Sequence, residues 1–266
     1  MQNLARGDGY GGDGLHLFPS APSSAPLSTV IFLHGLGDTA AGWTDVIPLL
    51  ASLSCFPALR VILPTAPVRP VTLNGGFPAP AWADIFSLDK DAAEDGPGFS
   101  ASKARIDRII QKEVEEAKVP PHRILLAGFS QGGALAYLVG LNSPYRLGGL
   151  VALSTWLPLA SNLRVSPACL GKSQENPEKS EMAPGGVPAG PMPVLHCHGR
   201  QDELVRFEFG HESAELIRQQ YAAACGDEKA KAAVQFQPFD GLGHSANAAE
   251  LAQVRAFVED ILKHPV

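Results

Sequence analysis

The chain has 266 residues, 45% of them hydrophobic and 18% charged, which is typical of one globular domain with a large core. Its net charge of −6 argues against a nucleic-acid-binding surface, because neutralising phosphates requires clusters of Lys and Arg that the sequence lacks. No apolar run approaches the roughly 18 residues that span a bilayer, and residues 1–14 do not resemble a secretory signal. The four cysteines are scattered without CxxC pairs, so we expect free thiols and a cytoplasmic location.

Short apolar runs alternate with amphipathic segments along the chain. This alternation predicts an α/β fold with a mainly parallel central sheet and helices on both faces, in a single domain over residues 1–266. Several predicted strands are apolar throughout, as expected of strands that are covered on both faces. The strands are predicted at 29–34, 59–63, 123–129, 149–154, 194–198 and 234–239, with a further strand at 15–18 pairing at an edge. The helices are predicted around 106–114, 133–141, 216–221 and 251–261.

Two segments lack this periodicity. Residues 88–98 are acidic and contain Gly and Pro, which predicts a solvated surface loop. Residues 164–192 carry five prolines and four glycines with almost no bulky apolar side chain. Such a segment buries too little surface to order itself, so we predict a mobile insertion in the domain. An inert insertion and a binding or regulatory segment that gates substrate access are both compatible with this composition.

The motif G-x-S-x-G occurs at residues 128–132. It directly follows the apolar strand predicted at 123–129 and precedes a predicted helix, which is the context of the sharp strand-to-helix turn in α/β hydrolases. The turn requires small residues on either side and presents Ser130 above the sheet edge. Ser130 is therefore the candidate nucleophile of an α/β-hydrolase fold, and the backbone N–H of Gln131 is a candidate donor to the oxyanion.

A serine hydroxyl needs a general base near neutral pH, and α/β hydrolases have their triad in the order Ser, acid, His. After the serine, His198 and His244 lie in loops that follow predicted strands. We predict that His244 is the base, because it lies in a glycine-flanked loop between the last predicted strand and the last predicted helix. The acid should follow an earlier strand, and Asp202 comes shortly after the strand at 194–198.

Three other aspartates are weaker candidates for the acid. Asp240 is close to His244 in sequence and is the main alternative. Asp38 and Asp84 precede the serine and fit the chain order less well. The second oxyanion donor is predicted in the H-G-x-G turn after the first strong strand, where the backbone N–H of Leu36 should face the nucleophile.

His196 and His198 raise the alternative of a metal site. Two residues apart on a strand, they would share a face. A metal ion would need further ligands, and no third His, Cys or carboxylate has convincing spacing. We therefore predict no metal and no organic cofactor.

Taken together, the motifs resemble the acyl-protein thioesterase/lysophospholipase family of small carboxylesterases. The matching segments, in chain order, are FLHGLGDT at 32–39, PVTLN at 70–74, WADI at 82–85, GFSQGGAL at 128–135, LSTWLP at 153–158, CHG at 197–199 with Asp202, and GHS at 243–245. The resemblance places the triad on Ser130, Asp202 and His244, and the oxyanion donors on Leu36 and Gln131. Both assignments agree with those made from the residues alone.

The resemblance also implies a function. It implies a serine hydrolase that removes fatty acyl groups from protein cysteines and hydrolyses lysophospholipids or simple esters, with the acyl chain held in an apolar channel. By resemblance the channel walls are Leu73, Trp82, Trp156 and Leu157. The expected partners are S-acylated proteins or lipid esters, with transient contact with a membrane surface and no nucleic acid.

Two features depart from the family. Many animal members carry an acylated Cys near the start, whereas the first Cys here is Cys55. The 164–192 segment is also longer than expected. Two alternative functions stay open, namely a carboxylesterase or lysophospholipase with no role on proteins, and a non-catalytic binding module with a hydrolase fold.

Overall fold

A computed structural model of the protein describes residues 3–6, 15–18, 27–45, 59–90, 92–172 and 190–263. Within these residues the central sheet has eight strands in the order β1-β2-β4-β3-β7-β8-β9-β10, and β5 and β6 form a separate hairpin. The strands are β1 Asn3–Arg6, β2 Leu15–Phe18, β3 Ser28–Leu33, β4 Leu59–Leu63, β5 Val68–Pro70, β6 Pro78–Pro80, β7 Ile124–Phe129, β8 Gly149–Leu153, β9 Val194–Gly199 and β10 Val234–Phe239.

The central sheet is mainly parallel, as predicted. Strands β4, β3, β7, β8, β9 and β10 pair in parallel, while β2 pairs antiparallel with β4 and β1 pairs antiparallel with β2. The six strands predicted most clearly are all present, with bounds that differ by at most one residue. The strand predicted at 15–18 is present as β2, but it is not an edge strand because β1 lies outside it.

Helices cover both faces of the sheet. They are α1 Gly96–Glu115, α2 Gln131–Leu141, α3 Phe207–Cys225, α4 Asp227–Ala233 and α5 Ala248–Lys263. Side chains alternate along each strand, so Ile31 and Leu33 of β3 face the core formed with α1 to α4, while Val30 and Phe32 face the core formed with α5. The apolar strands are thus buried on both faces, as their composition predicts.

The predicted surface loop at 88–98 ends in a helix cap. The Asp95 carboxylate accepts a hydrogen bond from the Gly98 N–H at 2.9 Å, which satisfies one of the free donors in the first turn of α1. Helix α1 therefore begins at Gly96, inside the predicted loop. The short hairpin β5–β6 was not predicted, because three-residue strands give too little alternation to detect.

The two ends of the segment predicted to be mobile pack against the domain. Cys169 and Met192 are fully buried, and the Met192 N–H donates to the Cys169 carbonyl oxygen at 2.7 Å. Residues 166–172 and 190–192 therefore lie against the domain, the mobility of the 164–192 segment stays a prediction, and residues 173–189 lie outside the described residues. No helix in the described part of the chain combines the length and apolar character that crossing a bilayer requires.

The sheet topology brings four loops to one edge. In a parallel sheet all strands end at the same edge, and the loops that follow them meet there. Ser130 follows β7, Asp202 follows β9 and His244 follows β10, while Leu36 follows β3, the neighbour of β7.

Candidate active site

Ser130 lies in a strained turn between β7 and α2. Its φ and ψ angles are 53° and −124°, a conformation that L-residues rarely adopt. The backbone N–H of Ser130 donates to the Leu153 carbonyl oxygen at 2.9 Å, and Thr155 Oγ1 donates to the Ser130 carbonyl oxygen at 2.6 Å. These two hydrogen bonds hold the turn against the end of β8 and the residues that follow it. The Ser130 side chain makes no capping bond to α2, so its hydroxyl is available for another partner.

Glycine is required on both sides of the serine. A Cβ atom at Gly128 would lie 2.3 Å from the Gly132 carbonyl oxygen, and one at Gly132 would lie 2.1 Å from the Leu33 carbonyl oxygen. Both contacts are with backbone, which cannot move aside cheaply. The G-x-S-x-G motif therefore has a steric cause in this fold: the helix after the serine packs directly on strands β7 and β3.

Three side chains form one hydrogen-bonded line at the sheet edge. His244 Nε2 lies 2.9 Å from Ser130 Oγ, and His244 Nδ1 lies 2.8 Å from Asp202 Oδ2. The ring of Phe129 packs on the imidazole of His244 with 4.9 Å between ring centroids. The line has the geometry of a nucleophile, a general base and the carboxylate that orients the base.

Asp202 is held from several directions. Its Oδ1 accepts hydrogen bonds from the backbone N–H groups of Leu204 and Val205 at 3.0 and 2.9 Å. Burial alone would raise the pKa of the Asp202 carboxyl, but the hydrogen bonds from His198, His244 and the Val205 N–H hold that pKa well below its usual range. Asp202 is therefore ionised near neutral pH and can stabilise a protonated His244.

The other candidate acids lie elsewhere. Asp240 forms an ion pair with Arg200 at 3.0 Å, and its side chain is 89% exposed. Asp84 binds the backbone and the hydroxyl of Thr72 at 2.7 and 2.6 Å. Asp38 accepts a hydrogen bond from the backbone N–H of Thr39 at 2.7 Å. Of the four aspartates weighed from the sequence, Asp202 is the one that the fold brings to His244.

The loop after β3 carries a histidine whose role the sequence did not suggest. His34 Nε2 accepts a hydrogen bond from the Ala66 N–H at 2.9 Å, so the neutral ring carries its proton on Nδ1 and donates it to the Gly35 carbonyl oxygen at 2.7 Å. Burial lowers the pKa of His34, which keeps this ring neutral. The Gly35 carbonyl and the Leu36 N–H belong to one planar peptide group and point in opposite directions. His34 therefore fixes the direction of the Leu36 N–H.

Leu36 and Gln131 are placed close to the serine. A Cβ atom at Gly35 would lie 3.4 Å from Ser130 Cβ, so the residue before Leu36 packs directly on Ser130. Gln131 is the first residue of α2, and the N–H groups of a first helical turn have no partner within the helix. This arrangement can direct two backbone donors at an oxyanion.

Trp82 stabilises the loop after β3. It is fully buried, and its indole N–H donates to the His34 carbonyl oxygen at 2.8 Å. Its backbone N–H donates to the Gln131 side-chain oxygen at 2.8 Å, and the Gln131 amide N–H donates to the Ala83 carbonyl oxygen at 2.6 Å. Residues 82–83 therefore tie the loop after β3 to the first residue of α2.

An apolar cavity of about 260 Å³ lies between α3 and residues 84–90 and 92–94. Two residues predicted as channel walls, Trp156 and Leu157, line it, whereas Leu73 and Trp82 do not. Leu73 is partly exposed, with its backbone N–H bonded to the Ile85 carbonyl oxygen at 2.8 Å. The further apolar lining includes Phe86, Leu88, Phe99, Leu204, Val205 and Phe209. Since Leu204 and Val205 also hold Asp202, the cavity borders the hydrogen-bonded line.

The two histidines that suggested a metal site do share a face of β9. His196 Nε2 and His198 Nδ1 lie 3.1 Å apart, and their other ring nitrogens contact Tyr137 and the Val205 carbonyl oxygen. The four ring nitrogens thus have protein partners. Across the described ranges, no group of three or more His, Cys, Asp or Glu side chains is arranged to hold a metal ion.

A comparison with known proteins gives the family of the chain. The model of the phospholipase/carboxylesterase family matches residues 18–262. The chain belongs to this family. Its fold is accordingly that of an α/β hydrolase, and the protein is a serine hydrolase.

Members of this phospholipase/carboxylesterase family are similar to the chain over nearly its whole length. Acyl-protein thioesterase 1 of Mycosarcoma maydis is 34% identical over 245 residues, which cover 89% of this chain and 92% of that protein. Acyl-protein thioesterase 1 of Cryptococcus neoformans is 36% identical over 249 residues, which cover 91% and 96%. These relatives confirm the resemblance to acyl-protein thioesterases that the motifs indicated.

Solved structures are also similar to the chain over most of its length. The crystal structure of Zea mays acyl-protein thioesterase 2 matches with a TM-score of 0.69 and 28% identity, covering 94% of this chain and 99% of that one. The crystal structure of Arabidopsis thaliana SOBER1 matches with a TM-score of 0.65 and 26% identity, covering 88% and 99%.

Proposed function

We propose that this serine hydrolase cleaves fatty acyl thioesters on protein cysteines through an acyl-serine intermediate. The observation that supports the proposal most directly is the unbroken line from Ser130 Oγ to His244 and Asp202, with contacts of 2.9 and 2.8 Å. The acyl-protein thioesterase relatives support the choice of a protein thioester as substrate.

In the proposed mechanism, His244 Nε2 accepts the proton of Ser130 as the hydroxyl attacks the acyl carbonyl carbon. The negative charge that develops on the carbonyl oxygen is stabilised by the backbone N–H groups of Leu36 and Gln131. Asp202 stabilises the protonated His244 and keeps its Nδ1–H directed away from the serine. Collapse of the tetrahedral intermediate breaks the bond to the leaving group and forms the acyl-enzyme.

The leaving group determines how much acid catalysis is needed. A cysteine thiolate is a good leaving group, because a free cysteine has a pKa of about 8.5. An alkoxide would require His244 to return the proton as the bond breaks. His244 gives its proton to the departing thiolate and is then neutral again, so it can accept a proton from the water that attacks the acyl-enzyme. His244 returns that proton to Ser130 Oγ as the acyl–oxygen bond breaks, which releases the fatty acid and regenerates the Ser130 hydroxyl.

We further propose that the apolar cavity holds the acyl chain, with Trp156 and Leu157 in its wall. Its lining by Phe86, Leu204 and other apolar side chains supports this assignment, since an acyl chain gains free energy by leaving water. Leu73 and Trp82 are left out of the proposed wall because neither lines the cavity.

The remaining partner and location proposals extend those made from the sequence. We propose a cytoplasmic protein that contacts membrane surfaces transiently, where S-acylated proteins reside. The exposed apolar side chains of Val68 and Phe77, on and beside the β5–β6 hairpin, support such contact. Co-sedimentation with phosphatidylcholine vesicles should fall in a Val68→Ser/Phe77→Ser double variant, and unchanged binding would contradict the contact.

The central test uses the Ser130→Ala variant. It should lose labelling by a fluorophosphonate and lose at least about 10⁴-fold in kcat. Ser100→Ala, which changes an exposed serine on α1, is the matched control and should behave as wild type. Wild-type labelling of Ser130→Ala would overturn the assignment of the nucleophile.

The substrate class is tested by comparing kcat/KM for an S-palmitoyl peptide, a lysophospholipid and a short ester. The proposal expects the S-palmitoyl peptide to be the preferred substrate. A preference for the lysophospholipid or the short ester would instead indicate the carboxylesterase or lysophospholipase alternative. The absence of turnover on all three, together with no fluorophosphonate labelling, would indicate a binding module.

The cavity assignment is tested with Phe86→Gln. Phe86 lines the cavity and is partly exposed, so the change should not disturb the core. We expect kcat/KM for palmitoyl substrates to fall about threefold to tenfold, with acetyl esters unaffected. Leu73→Gln is the control, because Leu73 is exposed to a similar degree and lies outside the cavity. Equal losses on both ester lengths would contradict the assignment.

A further inference from the structure

The face of β9 that packs against α2 and α3 carries two histidines that the proposed mechanism does not use. His196 and His198 are fully buried, with 5.3 Å between their ring centroids. Helix α3 crosses them at Gly210, where a Cβ atom would lie 2.2 Å from His198 Nδ1 and 2.8 Å from His196 Nε2. Any side chain at this position would push the two rings apart. The glycine therefore allows the histidines to stay in contact beneath the helix.

The two histidines connect a buried tyrosine to Asp202. Tyr137 Oη lies 2.7 Å from His196 Nδ1, and His196 Nε2 lies 3.1 Å from His198 Nδ1. His198 Nε2 in turn lies 2.8 Å from the Val205 carbonyl oxygen and 3.4 Å from Asp202 Oδ2. We call Tyr137, His196 and His198 the buried relay.

The partners of each ring nitrogen determine where the protons lie. Both atoms that His198 Nε2 meets, the Val205 carbonyl oxygen and the Asp202 carboxylate, are acceptors, so Nε2 carries the proton. Nδ1 of a neutral His198 is then an acceptor, and His196 must donate to it from Nε2. Nδ1 of His196 is an acceptor for the same reason, and Tyr137 must donate its hydroxyl proton. Every donor in the buried relay thus points toward Asp202 and its turn.

The environment favours the uncharged forms of His196 and Tyr137 that this arrangement uses. Burial, reinforced by His198 and His211, lowers the pKa of His196 well below its ordinary value. Burial also raises the pKa of the Tyr137 hydroxyl, so the tyrosine keeps its proton. In a low-dielectric interior, aligned hydrogen bonds polarise and strengthen one another.

We propose that the buried relay positions the catalytic acid: Tyr137, His196 and His198 hold the Asp202 carboxylate and the Val205 turn against His244 by a row of donors that ends on them. None of the three touches the reacting atoms, so they are positioning residues. This inference rests on the proposed role of Asp202 in the triad. Loss of the relay would loosen the alignment of His244 with Ser130 and slow the chemical step while leaving substrate binding intact.

Tyr137→Phe removes the first donor and keeps the ring. We expect kcat, and the rate of inactivation by a fluorophosphonate, to fall about threefold to tenfold, with KM changed less than about twofold. Tyr221→Phe is the matched control. Tyr221 is an equally buried tyrosine, but its hydroxyl bonds Cys169 and the Met192 carbonyl oxygen, away from Asp202. It should lose stability to a similar extent and keep its kcat.

Two substitutions at position 196 distinguish a positioning role of His196 from a role in packing alone. His196→Leu fills a similar volume without polar atoms and should lower kcat at least as much as Tyr137→Phe. His196→Gln provides an amide N–H that can donate to His198 and an amide oxygen that can accept from Tyr137, so it should recover most of kcat. All variants are measured as full-length protein, with melting temperatures recorded beside the kinetics.

Failure of the buried-relay proposal can be distinguished from failure of the triad assignment. Tyr137→Phe with a kcat equal to that of Tyr221→Phe would overturn the buried relay, as would equal kcat values for His196→Gln and His196→Leu. If Ser130→Ala still labels, the triad assignment itself fails. If Ser130→Ala is inactive and only the relay variants behave as wild type, the triad stands and the relay does not.

Discussion

Ser130 adopts a positive φ of 53°, and the residues around it stabilise that conformation. Bonds from Leu153 and Thr155 fix its backbone, and glycines at 128 and 132 remove side chains that would strike neighbouring backbone. The strain keeps the hydroxyl above the sheet edge and free of the helix cap, where His244 reaches it. The surroundings of this serine thus determine its conformation and the position of its hydroxyl.

Replacing Asp202 tests its proposed role as the acid of the triad. In Asp202→Asn, an amide group replaces the carboxylate that accepts the His244 Nδ1–H, which favours the wrong imidazole tautomer. We expect kcat to fall about 10³- to 10⁴-fold. Asp240→Asn should keep wild-type kcat, because Asp240 is exposed and pairs with Arg200. The reverse pattern in steady-state kinetics would identify Asp240 as the acid.

Glu250, on α5, makes the stability of the fold depend on pH. It is fully buried, and neither carboxyl oxygen has a hydrogen-bond partner among the described residues. Burial, with a contribution from the charge of Asp202, raises the pKa of Glu250 to about 7 from an ordinary 4.5. The carboxyl is therefore protonated in the folded state over a range of pH in which it is ionised in the unfolded state.

The sign of the effect follows from this difference. Below about pH 4.5 both states are protonated and the contribution of Glu250 to stability is complete. Between about pH 4.5 and 7 the unfolded state ionises first, so the free energy of unfolding falls as pH rises, by up to about 3 kcal/mol. Urea unfolding at pH 5 to 8 should show Glu250→Gln losing this dependence, whereas Glu228→Gln, at an exposed position, should retain it. Parallel curves for Glu250→Gln and wild type would contradict the prediction.

At the scale of elements, the turn between β7 and α2 is the point of closest packing in the site. The helix approaches β3 so closely that carbonyl oxygens of Leu33 and His34 would contact any side chain at Gly132. This approach brings the loop that carries Leu36 beside Ser130. One strand-to-helix turn therefore positions the serine and both proposed oxyanion donors together.

A single methyl group tests this packing. In Gly128→Ala the new Cβ would lie 2.3 Å from the Gly132 carbonyl oxygen, so the turn must open. We expect a loss of about 3 kcal/mol or more in the free energy of unfolding, together with loss of esterase activity. Gly96→Ala is the control, since the nearest atom to its Cβ is Leu159 Cδ2 at 3.9 Å. Equal stability of the two variants in urea titrations would contradict the argument.

At the scale of the whole molecule, one sheet joins the two cores. Trp82 belongs to the core on the side of α1 to α4, and Trp43 packs against the core on the side of α5. Because every central strand contributes side chains to both cores, neither can lose its packing while the other remains intact. The single domain predicted from the sequence should therefore unfold as one cooperative unit.

This expectation is tested by following unfolding with two signals. Tryptophan fluorescence reports on both cores, and far-UV circular dichroism reports on the strands and helices. The two urea transitions should coincide, and the calorimetric enthalpy should equal the van't Hoff enthalpy. Two separate fluorescence transitions would show that the faces unfold independently.

The sequence by itself determined the element types and indicated the residues of the proposed chemistry. Apolar periodicity is a local property, so the six main strands could be located to within one residue. The G-x-S-x-G turn, the chain order of the triad and the glycine-flanked histidine were also readable, because each depends on a few neighbouring residues. The short hairpin and the start of α1 at Gly96 were missed, since neither produces a periodic pattern.

Only the tertiary structure decided which distant side chains meet. Ser130 and His244 are 114 residues apart, and Tyr137 and His196 are 59 apart, so their contacts depend on strand order and on where parallel strands end. The same dependence explains Trp82, which the family resemblance placed in the wall of the acyl channel but whose side chain is buried against the loop after β3. Such hydrogen bonds form only between groups that the fold brings close together. Local sequence patterns carry no information about which distant residues meet.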